Sequence, residues 1–156
     1  MGFWSTWREN RRSLDYSRRS GERWPKADVP EFVAAVEASG LFESVEAAPV
    51  APGCVDLYLE AATGQSFVVM VADGLDSCRV ICDGYVFDWV PACLVLEFLR
   101  TVLAGEIDVA FSASRRWVRL RVPLPGEGTW QESRFFDDDL APWEARAISS
   151  ARTSAP

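Results

Sequence analysis

The sequence predicts an α+β fold: an antiparallel meander sheet of five to seven strands, two main helices at about 30–39 and 89–104 packed on one face, and a short C-terminal helix. Three observations carry this expectation. Segments of apolar period two recur between residues 43 and 136. Turn residues separate them by only a few positions, and strands joined by tight turns pair antiparallel. Two further segments show helical spacing instead.

The first helix is expected over Pro30–Ser39. Asp28 is a good N-cap, Pro30 suits the first turn, and Glu31 favours the positive end of the helix dipole. Phe32, Val33, Ala35 and Val36 recur at helical spacing, and Gly40 ends the run. Glu43–Ala48 reads as a weak strand, followed by a loop marked by Pro49, Pro52 and Gly53. Cys54–Ala62 alternates, with Val55, Leu57, Leu59 and Ala61 on one face and Asp56, Tyr58 and Glu60 on the other. Thr63-Gly64 turns the chain into Gln65–Ala72, which is apolar on both faces and so is expected at the centre of the sheet. Asp73-Gly74 turns it again into Ser77–Asp83, and Tyr85–Phe87 is expected to extend that strand after a kink at Gly84.

The second helix is expected to be capped by Asp88, with Pro91 in its first turn. Glu97, Arg100, Thr101 and Ala104 form a narrow wet stripe, and Cys93, Leu94, Val95, Leu96, Phe98, Leu99, Val102 and Leu103 make up the rest. Such a helix is buried over most of its circumference, so a second element or another subunit must cover its flank. Ile107–Phe111 and Trp117–Leu124 follow as strands, Trp130–Phe136 as an edge strand, and Ala141–Ile148 as the last short helix. The domain division is a basic, aromatic-containing extension over 1–26, one α+β domain over 27–148, and a disordered tail over 149–156.

Hydrophobic residues make up 49% and charged residues 25% of the 156, ordinary proportions for one packed domain. The net charge of −7 is unevenly spread. Residues 1–24 hold six arginines against Glu9, Asp15 and Glu22, so everything beyond them is strongly acidic. That balance disfavours nucleic acid and favours a basic protein partner. With no apolar leader and no spanning run, the chain is expected to be cytoplasmic, away from the membrane. Cys54, Cys78, Cys82 and Cys93 then act as small reduced hydrophobes. Phe3, Trp4, Trp7, Tyr16 and Trp24 are many aromatics for a solvated arm, so the extension either moves freely, docks on the domain, anchors on a partner, or precedes the true start of the protein.

Catalytic chemistry finds few carriers. The chain has no histidine, hence no ordinary base for a Ser or Cys nucleophile. Cys78 and Cys82 fall on one strand face but about 13 Å apart, at ~3.3 Å per residue, too far for one zinc ion. No metal and no cofactor are expected. The densest carboxylate cluster is Asp137, Asp138 and Asp139, flanked by Phe135, Phe136 and Trp143. It reads as a solvated loop or helix start, or more sharply as an acidic docking patch, joined by Asp56 and Glu60 on their exposed strand face. Arg115, Arg116, Arg119 and Arg121, interleaved with Trp117, resemble a single-strand nucleic-acid platform, but pairing with carboxylates of the same acidic domain is expected instead.

In size, acidity and lack of catalytic residues the chain is similar in character to bacterial immunity proteins, which neutralise basic toxins. Its element order also looks like that of dimeric secretion chaperones. The leading expectation is therefore a non-catalytic, acidic protein-binding module of the immunity type. The alternatives are a self-associating chaperone-like scaffold, with the apolar second helix at the interface, and a small enzyme or ligand-binding domain using a carboxylate pair.

Overall fold

The computed structural model describes residues 24–153; residues 1–23 of the expected 1–26 extension and 154–156 of the expected 149–156 tail lie outside them. Eight strands and three helices follow in the order α1 (Val29–Ala38), β1 (Ser44–Ala51), β2 (Cys54–Glu60), β3 (Ser66–Ala72), β4 (Ser77–Cys82), β5 (Tyr85–Pro91), a 3-10 turn (Ala92–Leu94), α2 (Val95–Leu103), β6 (Asp108–Phe111), β7 (Trp117–Leu124), β8 (Gly128–Phe135) and α3 (Pro142–Thr153). The strands form not one meander but two antiparallel sheets, β1-β2-β3-β4-β5 and β6-β7-β8. The α+β class stands, while the single sheet of five to seven strands is corrected to eight strands in two sheets.

The second helix is the reason for the division. Val95, Phe98, Leu99 and Val102 of α2 are buried, and Phe98 meets Phe87 of β5 edge-on at 5.0 Å. The same helix packs against β7, whose Val118, Leu120, Val122 and Leu124 face inward. A helix apolar around most of its circumference needs cover on both sides, and two sheets provide it within one chain. This helix departs from the expected 89–104: it starts at Val95, residues 89–91 belong to β5 with Pro91 at its end, and residues 92–94 form the 3-10 turn. Asp88 does not cap it: it sits on β5 and pairs with Arg79 at 2.5 Å, while the helix starts without a side-chain cap. Thr101 is buried, and Cys93, in the preceding 3-10 turn, is exposed.

Asp83 and Gly84, with φ of 41° and 91°, make a two-residue hairpin rather than a kink, so β4 and β5 are separate strands. This is the left-handed pair that Asp-Gly supplies at low cost. Where Cys78 opposes Val90 and Val80 opposes Phe87, β5 bulges, and Trp89 takes φ 68° there. At the other margin, β1 runs on through Pro49 to Ala51, with a register shift between these two. A proline is tolerated there because β1 is the outer strand.

Capping of α1 follows the sequence. Asp28 accepts from the Glu31 amide at 3.0 Å, and Asp73 in the β3–β4 turn accepts from the Val29 amide at 2.6 Å. The same turn holds Ala27 through backbone bonds to Leu75 and Gly74, and Trp24 is half-buried against the core. The last helix runs on to Thr153, beyond Ile148, so residues 149–153 are helical rather than tail.

Cys78 and Cys82 lie buried on β4, and burial pushes the Cys78 thiol up to about 12 and that of Cys82 higher still. Tyr85 is also held neutral, first by burial and then by donating to Glu144. Groups whose folded pKa is raised favour the fold fully below their ordinary range and lose that contribution as pH rises through the folded value. Stability is therefore expected to hold to about pH 8.5 and to fall steadily above it, as thiols and then tyrosine ionise in the unfolded chain. Iodoacetamide at pH 8 should label exposed Cys93 and spare Cys78 and Cys82, a pattern read by peptide mass spectrometry.

Candidate functional site

Two features of the structure could serve a ligand: a groove around α3, and the outer face of the five-stranded sheet.

The groove, about 450 Å³, is lined by Thr63, Asp83, Arg134, Asp137, Asp139 and Glu144 among others. At its floor Glu144 is 0% exposed. Its Oε1 accepts from the Tyr85 hydroxyl at 2.6 Å and Arg134 Nε at 2.8 Å. Its Oε2 accepts from an Arg134 terminal nitrogen at 2.6 Å and from the Ala141 amide at 2.7 Å. The last bond is the N3 arm of a capping box at the start of α3. A carboxylate offers about four lone-pair sites, and this chain fills them all. Glu144 is thus a clamp joining β5, β8 and α3, with no lone pair left for a substrate proton. Hydrogen bonding to Glu144 raises the Arg134 pKa further, keeping the guanidinium charged.

Nearby, Trp143 donates its indole N–H to Asp83 at 2.7 Å. Burial raises the Asp83 pKa, the bond from Trp143 lowers it, and the charge of Glu144 raises it again. Among the described residues no three His, Cys, Asp or Glu side chains come together in a way that could hold a metal ion.

The aromatic and acidic residues of the expected patch part company. Asp137, Asp138 and Asp139 are exposed in the loop before α3, with Asp138 at φ 66° and the Asp139 carbonyl receiving Arg134 at 2.8 Å. Trp143 is only 7% exposed and belongs to the core. Phe136 is half-buried, edge-on to Phe111 at 5.0 Å. Phe135 is exposed, but it faces Trp117 at 5.7 Å on the outer side of the second sheet. Arg119 and Arg121 share that side, where Arg121 approaches Asp108 at 3.8 Å, and Arg115 lies over the Phe111 ring at 4.6 Å.

Asp56 and Glu60 lead to the other feature. Period-two alternation sends Leu57, Leu59, Phe67, Val69, Val71, Val80 and Phe87 into the core. Their neighbours point outward, and no described helix covers them. Strand register sets Glu46, Tyr58, Val68, Ile81 and Val86 side by side across all five strands, and Ala48, Asp56, Met70 and Arg79 in the adjacent row. Tyr58 is 46% exposed and Met70 37%, with Val86 also exposed and Val68 and Ile81 half-buried. The surface is an apolar strip of Tyr58, Val68, Met70, Ile81 and Val86, bordered by Glu46, Asp56, Glu60 and the Arg79–Asp88 pair. Asp56 is half-buried, and Glu60 is exposed with a bond from the Ser66 hydroxyl at 3.1 Å.

The apolar strip was signalled in the sequence by the unbroken run Phe67–Val71, which read as a central strand. What the run could not say is whether its second face is covered. Glu144 gave no such signal, since an exposed and a buried glutamate at N3 of a helix look alike in sequence.

No helix of the described residues is long and apolar enough to cross a membrane. No protein-family model, curated protein or solved structure matches the chain.

Proposed function

We propose that the chain is a non-catalytic binding module that captures a basic, aromatic-bearing protein segment on the outer face of its five-stranded sheet. The observation that carries this reading is the row Tyr58, Val68, Ile81 and Val86, which no described helix covers, apolar in the middle and carboxylate-rimmed at its sides. Apolar side chains placed outward in adjacent strands gain nothing from water, whereas burial under a partner contributes about 25 cal/mol per Å². The rim of Glu46, Asp56 and Glu60 selects arginine or lysine and steers a cationic partner inward. Two copies meeting through this face would bring the same carboxylates together, which favours a partner of opposite charge over self-pairing. An immunity-type role, masking a basic toxin, is the biological form of this chemistry. The filled valences of Glu144 support binding over turnover.

Selection from a random peptide display library against the full chain tests the proposal. Enrichment of peptides combining arginine with Trp, Phe or Tyr is expected. Val68→Lys with Ile81→Lys should weaken those peptides about a hundredfold, since removing two apolar contacts costs about 3 kcal/mol. Its thermal melting should stay near that of the parent. Peptides that bind both chains equally would show that this face is not the site.

A further inference from the structure

We infer that residues 1–23 of the same chain are the resident occupant of the outer sheet face, so that a partner must displace them. The inference rests on the reading of that face as a binding surface and adds what occupies it beforehand.

Charge is the first argument. Across the face stand four carboxylates, Glu46, Asp56, Glu60 and Asp88, against Arg79 alone, a balance of −3. Residues 1–23 hold Arg8, Arg11, Arg12, Arg18, Arg19 and Arg23 against Glu9, Asp15 and Glu22, a balance of +3. Side-chain type is the second. Phe3, Trp4, Trp7 and Tyr16 are interspersed with those arginines, and the face offers Tyr58, Val68, Met70, Ile81 and Val86 for them to cover. Arginine between aromatics is also the composition that protein interfaces enrich.

Reach is the third argument. The chain enters the described domain beside the β3–β4 turn, where Ala27 bonds to Leu75 and Gly74. That turn ends the two strands that carry Val68, Met70, Arg79 and Ile81. From Ala72 back to Val68 is about 13 Å along β3 at ~3.3 Å per residue. The 23 preceding residues span up to about 75 Å when extended, so they can round the sheet end and cross every strand. A tether of this kind holds its ligand at an effective concentration in the millimolar range, enough for a modest affinity to keep the face occupied. A second copy lacks this advantage and brings like charge.

Met70 is the reporter, because it sits at the centre of the strip and, apart from Met1, is the only methionine. The full chain is compared with a full-length variant carrying Phe3→Ser, Trp4→Ser, Trp7→Ser and Tyr16→Ser, at equal concentration. Peroxide should oxidise Met70 about five times faster in the variant, followed by peptide mass spectrometry. A benzophenone side chain placed at position 58 should cross-link within one chain to a peptide from residues 1–23, with a yield independent of protein concentration. Equal oxidation rates overturn the inference, as do cross-links joining two copies. If those results came while displayed peptides were still lost on Val68→Lys with Ile81→Lys, only the resident arm would fall. Peptides indifferent to the lysines would remove the surface itself.

Discussion

Glu144→Ala should lower the free energy of unfolding by about 3–5 kcal/mol, the usual cost of removing one partner from a buried ion pair. At roughly 2–4 °C per kcal/mol for a chain of this size, the melting temperature should drop by about 10 °C or more. The magnitude follows from how much depends on one side chain. The Arg134 guanidinium, 14% exposed, loses a bidentate anion, the Tyr85 hydroxyl loses its acceptor inside the core, and the Ala141 amide loses its cap. Each orphaned buried donor costs about 1–3 kcal/mol, less whatever water can reach. Tyr85→Phe removes a single donor and leaves Glu144 three bonds, so about 1–1.5 kcal/mol is expected there. Urea unfolding of the two variants beside the parent checks both values. A loss under 1 kcal/mol for Glu144→Ala would mean that α3 docks through its apolar contacts alone.

Phe98→Ala should cost about 3–5 kcal/mol, the range for emptying a buried aromatic site. Phe98 is fully buried on α2, and its ring contributes an edge-on contact with Phe87 beyond the area it buries. Its position matters more than its size, because α2 meets β5 through this ring and packs against β7 of the other sheet. A cavity there removes contacts that both sheets share, and close-packed interiors relax only partly around a void. Hydrogen exchange should therefore accelerate in β4 and β5 and in β7 together. Acceleration confined to β5 would show that the sheets are coupled by some other route, such as the Trp130 indole bonded to the Trp89 carbonyl at 3.5 Å.

Local chemistry was legible in the sequence to the extent that it is local. Asp28 at the start of α1, Thr63-Gly64 between β2 and β3, and the alternation of Leu57 and Leu59 each depend on a few neighbours, and each appears where the pattern placed it. Asp83-Gly84 is also visible, but its left-handed pair reads as a kink because the strand that follows is so like the one before. Division into two sheets was not legible. It depends on α2 needing cover on two sides, and sequence periodicity reports that need without naming what satisfies it. Of the candidate docking residues, Asp56 and Glu60 fall on one open face because a strand's period is rigid. Trp143 reads as surface in the sequence, yet it is buried, because an aromatic next to carboxylates gives no sign of which way its helix turns. Glu144 escapes notice in the sequence because the three residues that make its four bonds come from β5, β8 and the start of α3, a convergence that only folding produces.

The outer margin of β1, with its proline and shifted register, has a consequence for how the protein avoids its own kind. A strand border with a continuous row of amides would template fibril growth by adding extended segments from neighbouring molecules. Pro49 withholds one donor, and the irregularity before Ala51 bends the border out of line, so an arriving segment cannot continue the ladder. Attachment at that border is therefore discouraged, and what the molecule collects must lie across the pleats rather than extend them.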